Sequence, residues 1–141
     1  MIILDTNVVS EPMRSAGNPL VLDWLDRQMA ETLYLTATSL SELLTGVEIL
    51  PGGRRKASMA AMLGGLLQGL FGERVLAFDE QAARAYAHVM SRARARGYSI
   101  AVADGQIAAI AQVQGFAVAT RDTGPFVAAG VRVVNPWETG A

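Results

Sequence analysis

Four carboxylates in the 141-residue chain hold positions where chemistry is done: Asp5, Glu42, Asp104 and Asp122. Asp5 closes the apolar run Ile2-Ile3-Leu4. Glu42 falls in the first turn after Leu33–Ala37, and Asp122 follows the run Phe116–Thr120 by two residues. Asp104 sits inside the otherwise uncharged stretch Ser99–Gln106. Carboxylates that converge repel one another unless a proton or a cation intervenes. An oxygen-only donor set suits Mg²⁺ or Mn²⁺ rather than zinc. Thr6, Asn7 and Thr120 are neutral groups placed to orient a carboxylate or a water. A magnesium site keeps several waters, one of which serves as nucleophile, and a phosphodiester supplies the anionic oxygens that complete the metal shell.

The elements that must position these groups alternate along the chain. Residues 2–4, 33–37, 74–78, 116–120 and 131–134 read as strands. Residues 19–29, 39–50, 54–71, 80–96 and 101–114 read as helices. Pro19 suits a first turn, Thr38 or Ser39 a cap for the 39–50 helix, and Asp79 a cap for the long 80–96 helix. Leu40, Leu43, Leu44 and Val47 share one helix face; Gly97 and Gly115 are stops. The strands are apolar throughout, as buried parallel strands are. The expected fold is α/β, a three-layer α/β/α sandwich on a mostly parallel central sheet. In such sheets ligands bind beyond the carboxyl ends of the strands, where each of the four acids is placed.

Composition narrows the function. Twelve basic and thirteen acidic residues give a net charge of −1, which excludes a globally basic nucleic-acid binder but not a local patch. There is no cysteine, so disulfides, Cys-ligated zinc, iron–sulfur clusters and thiol nucleophiles are excluded. The single histidine, His88, falls on the expected outer face of the 80–96 helix and rules out a multi-His metal site. The expectation is one domain over 1–137 with a short tail, 138–141. No basic leader precedes Asp5, and the apolar stretch Ala57–Gly72 is too short for a bilayer, so a cytoplasmic protein with no membrane association is expected. The Gly65-x-x-x-Gly69 spacing reads as close packing in a buried or interface helix. Gly52–Ser58 lacks the phosphate-loop pattern, and the glycines at 64, 65, 69 and 72 make no dinucleotide fingerprint. Trp24, Trp137 and Phe126 read as packing residues rather than base-stacking platforms.

Asp5-Thr6-Asn7, Ser41-Glu42-Leu43, Ala103-Asp104-Gly105-Gln106-Ile107 and Thr120-Arg121-Asp122-Thr123-Gly124-Pro125-Phe126 together resemble PIN-domain ribonucleases. The likeness is to the VapC toxins, in particular their FitB-like branch, and runs from Met1 to about Trp137. The resemblance implies a metal-dependent endoribonuclease, the toxin of a type II toxin–antitoxin pair, hydrolysing RNA phosphodiester bonds with a metal-activated water. It implies Mg²⁺ or Mn²⁺ as cofactor, a small DNA-binding antitoxin as partner, and a homodimer. Asp5, Glu42, Asp104 and Asp122 match the catalytic quartet, with Asp5, Asp104 and Asp122 as metal ligands. Asn7 and Thr120 match its supporting polar positions.

Two other functions fit a sheet with acids at its edge. A receiver-type phosphoacceptor domain needs a lysine after a late strand, whereas the only lysine here is Lys56. A non-catalytic PIN binding module has no use for an intact quartet. Arg84, His88, Arg92 and Arg96 recur every fourth residue, with Arg94 at their flank, and form a slowly drifting basic stripe. In the RNase reading Arg84, Arg92 and Arg96 hold the RNA backbone, while Ala82, Ala83, Tyr86, Val89, Met90 and Ala93 face the core.

Overall fold

The computed structural model describes residues 1–141. Its elements are β1 (Ile2–Leu4), α1 (Thr6–Ser10), α2 (Pro19–Asp26), β2 (Leu33–Thr36), α3 (Ala37–Glu48), α4 (Arg54–Leu66), β3 (Val75–Leu76), α5 (Glu80–Ala95), α6 (Val102–Gln114), β4 (Ala117–Ala119), α7 (Gly124–Ala128) and β5 (Val133–Val134). The five strands form one sheet in the order β3-β2-β1-β4-β5. Every pairing is parallel, with Ile3 opposite Tyr34 and Leu4 opposite Ala119. No helix is long and apolar enough to cross a membrane.

Successive strand side chains point to opposite faces, and here both faces are buried. Ile3 and Val118 enter a core with Val89, Ile107, Ile110 and Phe126. Their neighbours Leu4 and Ala119 enter a second core with Val8, Trp24, Leu35 and Phe71. Helices α5, α6 and α7 thus cover one face, and α1 to α4 the other. This is the three-layer sandwich that the apolar strands imply.

Capping sets where several helices begin. Asn18 accepts from the Leu20 N–H ahead of Pro19, and Asp79 accepts from the Ala82 N–H at 2.9 Å. Helix α3 starts earlier than expected. Its cap is Thr36, whose hydroxyl accepts from the Ser39 N–H at 3.0 Å, so the strand ends one residue sooner. Ser39 is instead fully buried, its hydroxyl without a partner. Helix α2 stops at Asp26, and the 54–71 helix loosens into a π turn over Leu67–Phe71. Leu44 and Ala83, expected on core faces, are exposed. Two five-residue helices, α1 and α7, are too short to show a periodicity.

One glycine decides how closely two layers meet. A Cβ on Gly105 would lie 2.7 Å from Met90 Sδ and 2.9 Å from Tyr86 Cε2. Only glycine lets α6 approach α5 at this point. The residue before it is Asp104.

Candidate active site

The site lies at the carboxyl edge of β1 and β4, the two central neighbours in the sheet. Asp5 ends β1 and is 6% exposed. One oxygen caps α1, accepting from the Thr6 N–H at 2.8 Å; the other accepts from the Thr120 hydroxyl at 2.7 Å. Thr120 follows β4, and its oxygen also accepts the Asp122 N–H at 3.1 Å. A single buried hydroxyl therefore joins two of the four acids. Asp5 caps a helix and stands at the edge of the central strands at once: each oxygen is held by a different element.

Glu42 lies in the second turn of α3 and is exposed. The Thr6 hydroxyl donates to it at 3.0 Å. Asp104 is half-buried in the first turn of α6, where no side chain caps the helix. The Thr38 hydroxyl of α3 donates to Gln106 of α6 at 2.9 Å, tying together the two helices that carry Glu42 and Asp104. Asn7 accepts the Arg121 N–H at 3.3 Å and so anchors the segment leading to Asp122. Of the three neutral residues expected to orient the acids, Thr6 and Thr120 donate to Glu42 and Asp5 directly, and Asn7 bonds only the backbone next to Asp122.

The electrostatics identify these acids as one group. Burial pushes the Asp5 carboxyl above its usual range, against the Thr120 and Thr6 hydrogen bonds that lower it; Glu42 and Asp122 add to the rise. Asp104 is pushed up to about 6, first by burial and then by Asp5, Asp122 and Glu42. Asp104 feels the other three acids and Asp5 feels Glu42 and Asp122; the charges that act on the two are all acidic.

The quartet is gathered but not closed. No three carboxylate or imidazole groups stand tightly enough to hold a metal ion as placed. The expectation that Asp5, Asp104 and Asp122 form a ready ligand cluster is corrected to that extent. Mutual repulsion keeps like charges apart, and Asp122 and Glu42, both exposed, are free to respond to it. In donor type and charge the residues do fit a hard divalent cation. They offer oxygens only, and acidic neighbours add to the rise that burial gives Asp5 and Asp104.

Other expected features fall elsewhere. His88 is exposed on α5. Arg84 pairs with Glu80 at 3.3 Å, Arg96 donates to the Ala128 carbonyl, and Arg92 lies near Gly130. Lys56 is bound to the Glu48 carbonyl at 2.8 Å, so it supplies no receiver-type lysine to the acids. A surface hollow of about 700 Å³ lies at the α5–α6 turn around Arg94, Tyr98 and Ser99, away from the carboxylates. Sequence reasoning missed Arg121, whose guanidinium lies over the Trp137 ring, 5.4 Å from its centroid. The Thr120-Arg121-Asp122 run was its only signal.

Comparison with known proteins gives the same frame. Residues 2–131 match the family model described as the PIN domain. The chain is 48% identical over 138 residues to the VapC ribonuclease Y4jK of Sinorhizobium fredii, covering 98% of this chain and 99% of that protein. It is 47% identical over 137 residues to Toxin FitB of Neisseria gonorrhoeae, covering 97% and 99%. Among solved structures, a chain of FitAB bound to an IR36 DNA fragment superposes with a TM-score of 0.95 at 45% identity, over 100% of this chain and 99% of that one.

Proposed function

Since the chain belongs to the PIN-domain family, among its VapC and FitB relatives, we propose that it is a divalent-metal-dependent endoribonuclease acting as the toxin of a toxin–antitoxin pair. The observation that carries the proposal is the gathering of the acids at one sheet edge, with Thr120 bonded to Asp5 and to the Asp122 N–H, Thr6 bonded to Glu42, and Asp104 raised first by burial and then by the other three carboxylates. Such a cluster is costly to keep unless it serves a cation. Relatives named as a ribonuclease and a toxin, matched over nearly their whole lengths, support the substrate and the biological role.

Asp5, Asp104 and Asp122 would hold Mg²⁺ or Mn²⁺, with Glu42 completing the acidic rim. The ion supplies Lewis acidity and lowers the pKa of a water beside the phosphodiester. The chain's own residues do the positioning. Thr120 and the Thr6 N–H keep the Asp5 carboxylate oriented and help hold it ionised despite burial. The Thr120 oxygen and Asn7 fix the backbone on either side of Arg121, and so the segment that carries Asp122. Thr6 holds Glu42 by its hydroxyl, within reach of a proton on a nucleophile or leaving group.

The proposal includes a small DNA-binding antitoxin as partner, as FitAB is a DNA-bound assembly, together with a homodimer and a cytoplasmic site of action. An acidic pocket whose carboxylates pair with no basic group of this chain suits a guanidinium from that partner. The test is cleavage of single-stranded RNA by purified protein. Activity is expected with Mg²⁺ or Mn²⁺, to vanish with excess chelator, and to vanish in Asp104→Asn while the fold persists. Chelator-resistant cleavage by the Asp104→Asn protein would overturn the assignment.

A further inference from the structure

Arg121 is the only basic residue adjacent in sequence to a member of the quartet. It nevertheless pairs with no carboxylate. The molecule's ion pairs are Arg14–Glu11, Lys56–Glu48 and Arg84–Glu80. Basic groups are equally missing from the charges that act on Asp5 and Asp104, which are all acidic. A long, flexible cation beside four carboxylates would ordinarily fold onto them.

The structure shows what holds it away. The guanidinium lies over the Trp137 ring, 5.4 Å from its centroid, where the face of the indole attracts a cation. The seat itself is fixed. The Trp137 N–H donates to Asn135 at 3.0 Å, and its ring packs against the core that contains Leu4 and Ala119. The Arg121 backbone is pinned to Asn7 on the other side. Trp137 is thus a packing residue, as its sequence context implied, and also a platform for an arginine.

Two consequences follow from this seat. The acids stay open to a cation, and Arg121 keeps its five donors for an anion that passes the segment carrying Asp122. A phosphodiester approaching four carboxylates is repelled until positive charge meets it. The guanidinium fork matches two phosphate oxygens, and its flat face suits stacking.

We propose that Arg121, seated on Trp137, grips a phosphate of the RNA strand beside the catalytic carboxylates and so sets how the strand enters the site. The inference rests on the RNase reading above and adds to it the residue that contacts substrate.

The test is binding of a labelled single-stranded RNA oligonucleotide to the cleavage-silenced Asp104→Asn protein across a salt series, beside cleavage by the otherwise native chain. Arg121→Ala is expected to weaken binding about tenfold, as loss of a charged hydrogen bond does. Its log K against log salt slope should become shallower by about 0.7, one phosphate contact on a single strand. Arg121→Lys should keep the slope and regain part of the affinity, which also guards against a folding defect in the alanine variant. RNA binding should change Trp137 emission in the parent but not in Arg121→Ala. Unchanged affinity and slope in Arg121→Ala, with the native chain still cleaving RNA, would overturn the inference alone. Loss of affinity only for a purified antitoxin would overturn it in favour of a protein contact. A native chain that neither binds nor cleaves RNA would overturn the functional reading and this inference with it.

Discussion

Thr120 donates its hydroxyl proton to Asp5 at 2.7 Å and accepts the Asp122 N–H on the same oxygen at 3.1 Å. The bond crosses from β4 to β1, 115 residues apart in sequence, inside a fully buried spot. Thr120→Val keeps the shape and removes both interactions. Asp5 then loses a bond that favours its charged form, and Asp122 loses its tether. The expected result is a tenfold or larger fall in cleavage rate and a stability loss of about 1–3 kcal/mol. Thr120→Ser should keep most of both. Rates and melting curves for the two variants check this; a valine variant within twofold of native would show that the hydroxyl does not position the acids.

Asp104 gives the metal-free protein a characteristic response to pH. Its carboxyl titrates at about 6 in the folded chain and near the ordinary 3.8 once unfolded. Between those values the folded state binds more protons than the unfolded one. The contribution of this group to stability therefore falls as pH rises from about 4 to about 6, and stays low above that. Burial raises Asp5 as well, which acts in the same direction. Asp104→Asn removes the effect. Its melting temperature should exceed that of the native chain near pH 7 by more than near pH 4, in chelator. At subsaturating metal, where protons compete with the cation for the acids, cleavage should climb through pH 6. Parallel melting curves across that range would refute the account.

The parts of the molecule that were legible in the sequence are those with a repeating or terminal signal. Apolar runs at 2–4 and 116–120 announce buried parallel strands, and Asn18-Pro19 and Asp79 mark helix starts. The acids could be placed at the strand ends because a parallel sheet puts them there. What stayed hidden depends on approach in three dimensions. Helices α1 and α7 are single turns or little more. The start of α3 moved because the Thr36 hydroxyl captures the Ser39 N–H while its backbone is still paired in β2. The openness of the quartet and the seat of Arg121 on Trp137 come from charges and rings that meet only after folding.

Gly105 is another such case, and it is testable. A methyl group there would meet the Tyr86 ring at 2.9 Å and Met90 Sδ at 2.7 Å. Methionine can swing aside. The Tyr86 ring is more constrained, since it stands edge-on to Phe78 at 5.8 Å. Helices α5 and α6 must then separate slightly, and Asp104 moves with α6. Gly105→Ala should cost about 1–3 kcal/mol, as overpacking does, and should lower cleavage more than the melting shift alone explains. Double substitution with Met90→Ala should recover only part of the stability. A neutral Gly105→Ala would mean that the layer spacing is softer than the structure implies.

The basic stripe on α5 separates into two kinds of arginine. Arg96 reaches across to the Ala128 carbonyl at the end of α7, where a cation is favoured by the helix dipole. Helix α7 begins two residues after Asp122, so this bond braces the far end of the segment that carries an acid of the site. Arg84 only faces Glu80 on an exposed surface, a pair worth about 0–1 kcal/mol, and Arg92 makes no ion pair. We propose that Arg84 and Arg92 attract the RNA backbone while Arg96 serves chiefly the fold. Arg96→Ala is expected to lower the melting temperature by about 2–6 °C, the shift that roughly 1 kcal/mol produces in a domain of this size. It should leave the salt dependence of RNA binding nearly unchanged. Arg84→Ala with Arg92→Ala should melt as the native chain does, yet flatten the log K against log salt slope by about 1.4, two phosphate contacts on a single strand. Both sets are measured in the Asp104→Asn background, so that cleavage does not deplete the ligand. A flat response in the double variant would assign the stripe to solubility and leave Arg121 as the cation that meets the strand.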